Sequence, residues 1–292
     1  MNQEEEKSAK LKKIVQMVNE SDISSIKNTV VGITKIINDP TSSAKDFKKI
    51  IQIDPPLTGR LLKLANSVYY SPRTKISEIQ QAIIWVGYDA LKELALRQKV
   101  CEVFDGDKTI EGYSRPLLWK HSVAVSLLGK MIYRKEFREK GENIYVAGLL
   151  HDIGIIVLDQ FCEDEFRIIL SKTKTEKKNH RKAEQKVLGF DHTEVGKAIA
   201  DDWNLPQELV EVIGCHHKPD NIDRQFVRAG LTLYVADYVC QQKGLGYGDA
   251  PIPDKESFRR CLKRLNLTSY ALDLIVADVE QEFFKMEEQG LF

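Results

Sequence analysis

The sequence predicts an all-α protein built as two helical lobes. Apolar residues recur at helical spacing along nearly the whole chain, and Ser, Thr, Asp and Pro stand where such segments begin. Alternating β-branched runs bounded by turns, the mark of half-buried strands, are missing. No internal repeat is evident.

Taken in order, Leu11, Ile14, Val15 and Val18 have helical spacing, so residues 1–22 are expected to form an N-terminal extension that is either frayed or helical. Thr41, Ser42 and Ser43 can cap a helix reaching Ile53, with Phe47, Ile50 and Ile51 on its apolar face. Pro55 and Pro56 suit the first turn of the next, which is expected to run through LTGRLLKLANSVYY. Glu78 to Tyr88 and Asp89 to Val103 are amphipathic segments parted by Gly87. Asp105 to Ser114 is the strongest loop signal in the first half, and the lobe boundary is placed there, giving lobes 23–105 and 106–292. Ser114 and Pro116 open a helix that carries Trp119 and His121 and ends in the basic cluster near Arg134. Asn143 to Gln160 is expected as one helix, followed by Asp164 to Lys172 and His180 to Leu188. Asp191 caps a helix to Trp203, Pro206 opens one ending near His217, and Asp223 to Lys243 is a long buried helix. The loop GLGYGDAPIPD and two terminal helices complete the chain.

Composition excludes several classes of function. The 292 residues carry 43 Lys plus Arg against 43 Asp plus Glu with no concentrated basic stripe, so direct nucleic-acid binding is not expected. The apolar stretch Val146 to Leu158 is interrupted by His151 and Asp152 and is too short to cross a bilayer. The charged start MNQEEEKSAKLKK stands where a signal peptide needs an apolar core, so a soluble cytoplasmic protein is expected. Cys101, Cys162, Cys215, Cys240 and Cys261 form no CxxC pair and are read as reduced, mostly buried residues.

The chemistry lies in the histidines. His121, His151, His192, His216 and His217 sit in or beside apolar helical segments, as do Asp152 and Asp237. A carboxylate in an apolar setting costs roughly several kcal/mol unless it is compensated, and a bound cation is the simplest partner. Imidazole and carboxylate donors suit iron, manganese, zinc or nickel. On one continuous helix, His151 and Asp152 would point about 100° apart and serve a single cluster only from its edge. His180, in the charge run KTKTEKKNHRK, is read as solvated and given no role.

The succession His121, His151-Asp152, His192, His216-His217, Asp237 resembles the HD superfamily of metal-dependent phosphohydrolases, in particular its dinuclear members. That resemblance implies two divalent transition-metal ions bridged by Asp152. His121, His151 and Asp237 would complete one ion's ligands and His192, His216 and His217 the other's, with iron the first choice. IIQIDPPLTGRLLKLANSVYY (Ile50 to Tyr70), KISEIQQAIIWVGYDALKELAL (Lys75 to Leu96) and DHTEVGKAIADDWNLP (Asp191 to Pro206) further resemble the HDOD family, the HD-related output domain of bacterial signalling proteins. The resemblance spans about Asn28 to Lys243 and implies a helical bundle lobe packed on an HD-like helical lobe.

Two functions follow as expectations. The first is a regulatory module that holds the dinuclear centre and binds a signalling protein or a small phosphorylated ligand. The second is a phosphohydrolase using metal-activated water on a nucleotide or cyclic-dinucleotide phosphoester, with Lys120, Lys197 and Lys218 as the candidate phosphate contacts. Two departures favour the first. Ile155 stands where the related hydrolases carry a lysine after HDIG, and HHKPDNID follows the paired histidines where a GYP element is expected; the GYG at Gly246 to Gly248 comes too late to replace it.

Overall fold

A computed structural model describes residues 3–106, 109–110, 112–176, 180–247 and 255–288. Among these the chain is helical nearly throughout, as its periodicity predicts. The first lobe comprises α2 (Ile23–Asn38), α3 (Ala44–Gln52), α4 (Pro55–Ala65), α5 (Ile79–Val86) and α6 (Tyr88–Cys101), preceded by α1 (Gln3–Asn19). The second comprises α7 (Arg115–Ile132), α8 (Glu142–Leu150), α9 (Ile153–Phe161), α10 (Glu163–Glu176), α11 (His180–Leu188), α12 (His192–Asp202), α13 (Gln207–Cys215) and α14 (Val227–Lys243), then α15 (Lys255–Arg264) and α16 (Ser269–Glu288).

The helix starts follow local chemistry. Ser43 and Asp46 form a reciprocal capping box at α3, and Asp191 with Glu194 repeats it at α12. Asp54 accepts the Leu57 N–H at α4, where Pro55 fills a position that needs no donor. α4 stops at Ala65, short of the two tyrosines expected within it, because the Asn66 side chain donates to the Ile76 carbonyl at 2.7 Å and accepts the Ile76 N–H at 2.8 Å. That side chain supplies a non-helical partner, and the NSVYY stretch becomes a turn.

Within the second lobe α7 packs against α8, α14 and α16, α12 lies between α9 and α13, and α13 touches α8 and α14. α2 and α6 carry the first lobe onto α8. α1 is helical and lies across α12 and α9.

Five expectations need correction. The segment 143–160 is two helices, not one, broken at His151-Asp152. Asp152 leaves the helical region (φ −98°, ψ 14°), and the His151 ring nitrogen Nδ1 lies 2.8 Å from the Gly148 carbonyl, occupying an acceptor at the end of α8. The span Glu142–Phe161 is apolar and long enough to cross a membrane, yet 89% of its 18-residue window is buried in the protein. The loop 105–114 contains a two-residue antiparallel ladder, β1 (Thr109–Ile110) on β2 (Tyr113–Ser114). His180 is fully buried, because α11 turns it inward onto Phe166, with ring centres 5.8 Å apart. Of the five free cysteines only Cys240 and Cys261 are buried and the others are half-buried. In the loop after α14, residues 248–254 lie outside the described residues.

Candidate metal centre

The fold brings all seven sequence-selected residues to one place, and six of them are buried: His121, His151, Asp152, His192, His216 and Asp237. Each comes from a different structural position. His121 and Asp237 sit mid-helix on α7 and α14. His151 and His216 each stand one residue beyond a helix, α8 and α13, and His192 opens α12.

His151 and His216 use the same device. Each ring places Nδ1 against the carbonyl three residues earlier, at 2.8 Å from Gly148 and 2.7 Å from Ile213. A carbonyl can only accept, so Nδ1 carries a proton and Nε2 is the ring nitrogen turned into the cluster. Both Nε2 atoms are buried without a hydrogen-bond partner. Asp152 stands between the two histidine sets. Its Oδ2 is 3.2 Å from His151 Nε2 and 3.9 Å from His121 Nε2, while its Oδ1 is 3.5 Å from His216 Nε2 and 3.7 Å from His192 Nε2. The break after α8 permits this, since a non-helical Asp152 is freed from the fixed angle to His151.

Asp237 joins the outer sides of both sets: Oδ1 lies 3.1 Å from His121 Nε2 and Oδ2 lies 3.6 Å from His217 Nδ1, while Gln241 donates to Oδ1 at 2.9 Å. Ligand-capable atoms converge in two groups, Asp152 with His192, His216 and His217, and Asp152 with His121 and His151. This donor set, with orphaned imidazole nitrogens facing a shared carboxylate, fits cations of the nitrogen- and oxygen-binding kind.

The protons agree with the geometry. Burial pulls His192 down, but the Glu184 carboxylate outweighs it and lifts the ring to about 10. Burial and the neighbouring His216 and His192 hold His217 well below its ordinary value. Their Nε2 atoms are 3.1 Å apart, so in the metal-free protein one proton occupies the space between them, where a metal would compete with it. Asp152 stays well below the ordinary carboxylate range, because the adjacent His151 outweighs the opposing effect of burial, and His151 rises to about 9 in return.

Residues 23–219, more than half of the chain, match the HDOD domain. The chain belongs to the HDOD family. The matched segment ends before Asp237, which sits on α14 of the same lobe. An HDOD domain protein of unknown function from Geobacter sulfurreducens is 28% identical, with a TM-score of 0.74 over 88% of this chain and 89% of that one. A structure from Marinobacter aquaeolei VT8, described as a candidate signal-transduction protein, shares the fold with a TM-score of 0.72 at 17% identity, covering 89% of this chain and 56% of that one. An uncharacterized protein of Treponema pallidum (strain Nichols) is 24% identical over 198 residues, 67% of this chain and 38% of the relative. The HDOD chain described here thus matches well under two thirds of that relative's length.

Two residues around the HDOD cluster escaped sequence reasoning. Glu184, fully buried on α11, accepts both the backbone N–H of His192 at 3.0 Å and its ring Nδ1–H at 2.8 Å, which turns His192 Nε2 inward. His180 lies behind it, with Nε2 3.6 Å from Glu184 Oε1. Both belong to charge-rich sequence, and the only available signal was their i, i+4 spacing, twelve and eight residues before His192. Of the three lysines considered for phosphate, Lys120 pairs with Glu287, Lys197 pairs with Glu211 at 2.8 Å, and Lys218 is exposed. Tyr247 of the GYG donates its backbone N–H to the Leu117 carbonyl at 2.9 Å, which straps that loop onto α7 beside His121.

Proposed function

We propose that this HDOD protein is a regulatory module whose second lobe, residues 106–292, holds two divalent transition-metal ions, and whose first lobe, residues 23–105, contacts a signalling partner. The observation that carries the metal reading is the division of Asp152: one oxygen faces His121 and His151, the other His192 and His216. His121, His151 and Asp237 would hold one ion, His192, His216 and His217 the other, with Asp152 shared. Iron is the first candidate, and manganese, zinc or nickel suit the same donors. When bound, such a pair supplies positive charge and Lewis acidity. Asp237 and Glu184 orient the rings around it.

Burial and charge favour regulation over hydrolysis. Beyond Asp152 at 8% and His217 at 14% side-chain exposure, the cluster is sealed, which suits tightly held ligands better than a reacting phosphoester. Ile155, where a phosphate-contacting lysine would stand, is fully buried among apolar residues. Lys120 and Lys197 are already paired with carboxylates. The first lobe exposes Val68, Ile84 and Trp85, apolar side chains suited to a protein surface contact.

A phosphohydrolase is the second reading, favoured by the donor set alone. Elemental analysis of the purified full chain beside an Asp152→Ala variant tests the metal centre: close to two ions per chain, lost in the variant, is expected, and a stably folded metal-free protein would refute it. Bis(p-nitrophenyl) phosphate then separates the two readings. Turnover abolished by Asp152→Ala would replace regulation with hydrolysis.

A further inference from the structure

A second site stands apart from the metal cluster and shares no residue with it. A cavity of about 440 Å³ lies where the lobes meet, between the turn after α4, helix α6, and helices α7, α8 and α16. Its volume is that of a small-molecule pocket. Tyr69, Tyr70 and Tyr145 contribute aromatic surface, with apolar side chains of α6, α7 and α16 beside them.

Its charges are unbalanced in a specific way. Three acids line the cavity and each is engaged: Glu93 with Lys130 at 2.5 Å, Glu282 with the Tyr69 hydroxyl at 2.5 Å, and Asp278 with Lys135. Arg97 is not. Its side chain comes from α6 and is only 6% exposed, its Nε has no hydrogen-bond partner, its Nη1 meets the Met286 thioether at 3.4 Å, and it forms no ion pair with a carboxylate of the described residues. Arg134, on the turn after α7, also lines the cavity without forming an ion pair among the described residues. A buried guanidinium without a carboxylate is costly to the fold, and its planar fork of donors matches an oxyanion.

We infer that this inter-lobe cavity binds a small anion consisting of a phosphate or carboxylate on a flat ring, with the oxyanion on Arg97 and the ring against Tyr69, Tyr70 and Tyr145. Such a ligand supplies the charge that Arg97 lacks and fills the aromatic wall. It touches α6 from the first lobe and α7, α8 and α16 from the second, so binding couples the lobes. The Tyr69 to Glu282 hydrogen bond already fixes the turn after α4 to α16.

Isothermal titration of the full chain with phenyl phosphate, GMP, benzoate and inorganic phosphate tests this. At least one ring-bearing anion is expected to bind about 10-fold or more tightly than inorganic phosphate, and the phosphate and benzoate arms distinguish the oxyanion. Arg97→Met should weaken that ligand about 10-fold or more, whereas Asp152→Ala, which removes the proposed metal bridge, should leave it unchanged. If Arg97→Met fails to fold, Arg134→Gln at the exposed edge is expected to weaken binding by ~3-fold. The inference is overturned if no ring-bearing anion outbinds inorganic phosphate, if a folded Arg97→Met (or, where that does not fold, Arg134→Gln) binds like the parent, or if binding disappears in Asp152→Ala, which would move the ligand to the metal cluster.

Discussion

Glu184 fixes the direction of His192 through two hydrogen bonds, one to its backbone and one to its ring. Outer carboxylates of this kind tune a ligand's basicity as well as its orientation. For Glu184→Gln we expect metal affinity to fall about 10-fold or more, with His151 and His121 still in place; chelator competition followed by elemental analysis measures it, and an unchanged affinity would remove Glu184 from the centre. Asp54 offers a residue-scale test away from the metal. Burial raises its pKa, but Lys99 at 2.6 Å and the Leu57 N–H outweigh burial and hold it below the ordinary carboxylate value. A lowered acid contributes stability that is present above its unfolded pKa and is lost as pH falls through its folded value. Burial lowers Lys99, but Asp54 and Glu102 outweigh it and raise it, so its contribution is present below the unfolded lysine pKa and is lost as pH climbs through the folded one. The pair therefore stabilises the protein between about pH 4 and pH 10. Asp54→Asn keeps the cap acceptor and leaves Lys99 with Glu102 at 2.9 Å, so we expect a loss of about 1–2 kcal/mol at pH 7 that shrinks below pH 4. Urea denaturation at both pH values checks it.

At the scale of elements, close approach of helices decides the centre's shape. A Cβ on Gly154 at the start of α9 would lie 2.0 Å from the His192 carbonyl oxygen, and one on Gly148 of α8 would lie 2.4 Å from Ser126 Cα of α7. Both obstacles are backbone, which cannot swing aside. Gly154→Ala is expected to cost about 2–3 kcal/mol and to lower metal content by parting α9 from α12. Gly59→Ala on α4, where a Cβ meets nothing within 4 Å, is expected to gain about 0.4–1 kcal/mol. Thermal melts of the two variants should move in opposite directions. Helix identity was largely legible in the sequence because caps and periodicity are local: Ser43, Pro55, Ser114 and Asp191 all mark true starts. The break at His151-Asp152 was not legible, since the apolar residues on either side keep the same periodicity whether or not a ring nitrogen takes the Gly148 carbonyl. The helix Ile23–Asn38 was also passed over, although its Ile and Val residues bury one face and Ser21 and Asp22 stand at its start. The seven ligand candidates were legible by residue type and apolar setting. Glu184 and His180 were hidden because their burial depends on how α11 packs, a tertiary fact that a charged local sequence does not report.

For the molecule as a whole, stability is unevenly distributed. α7, α8 and α14 are buried on nearly all sides and carry His121, the approach to His151, and Asp237. α1 differs: it buries only Ile14 and Val18 among its described residues, and is otherwise tied down by Lys7 on Glu194 and Asn19 on Asp202 at 3.1 Å. Two buried aliphatic side chains contribute about 3–6 kcal/mol before the entropy of ordering a 17-residue helix is subtracted. The surface pairs add little. α1 should therefore open locally, without unfolding the lobe beneath it. In hydrogen exchange its amides are expected to exchange well before those of α7, α8 and α14, and deletion of residues 1–20 should lower the melting temperature while leaving metal content unchanged, because none of the seven ligand candidates lies on α1. Exchange of α1 in step with α7, or loss of metal on deletion, would show instead that α1 braces α12 and holds His192 in place.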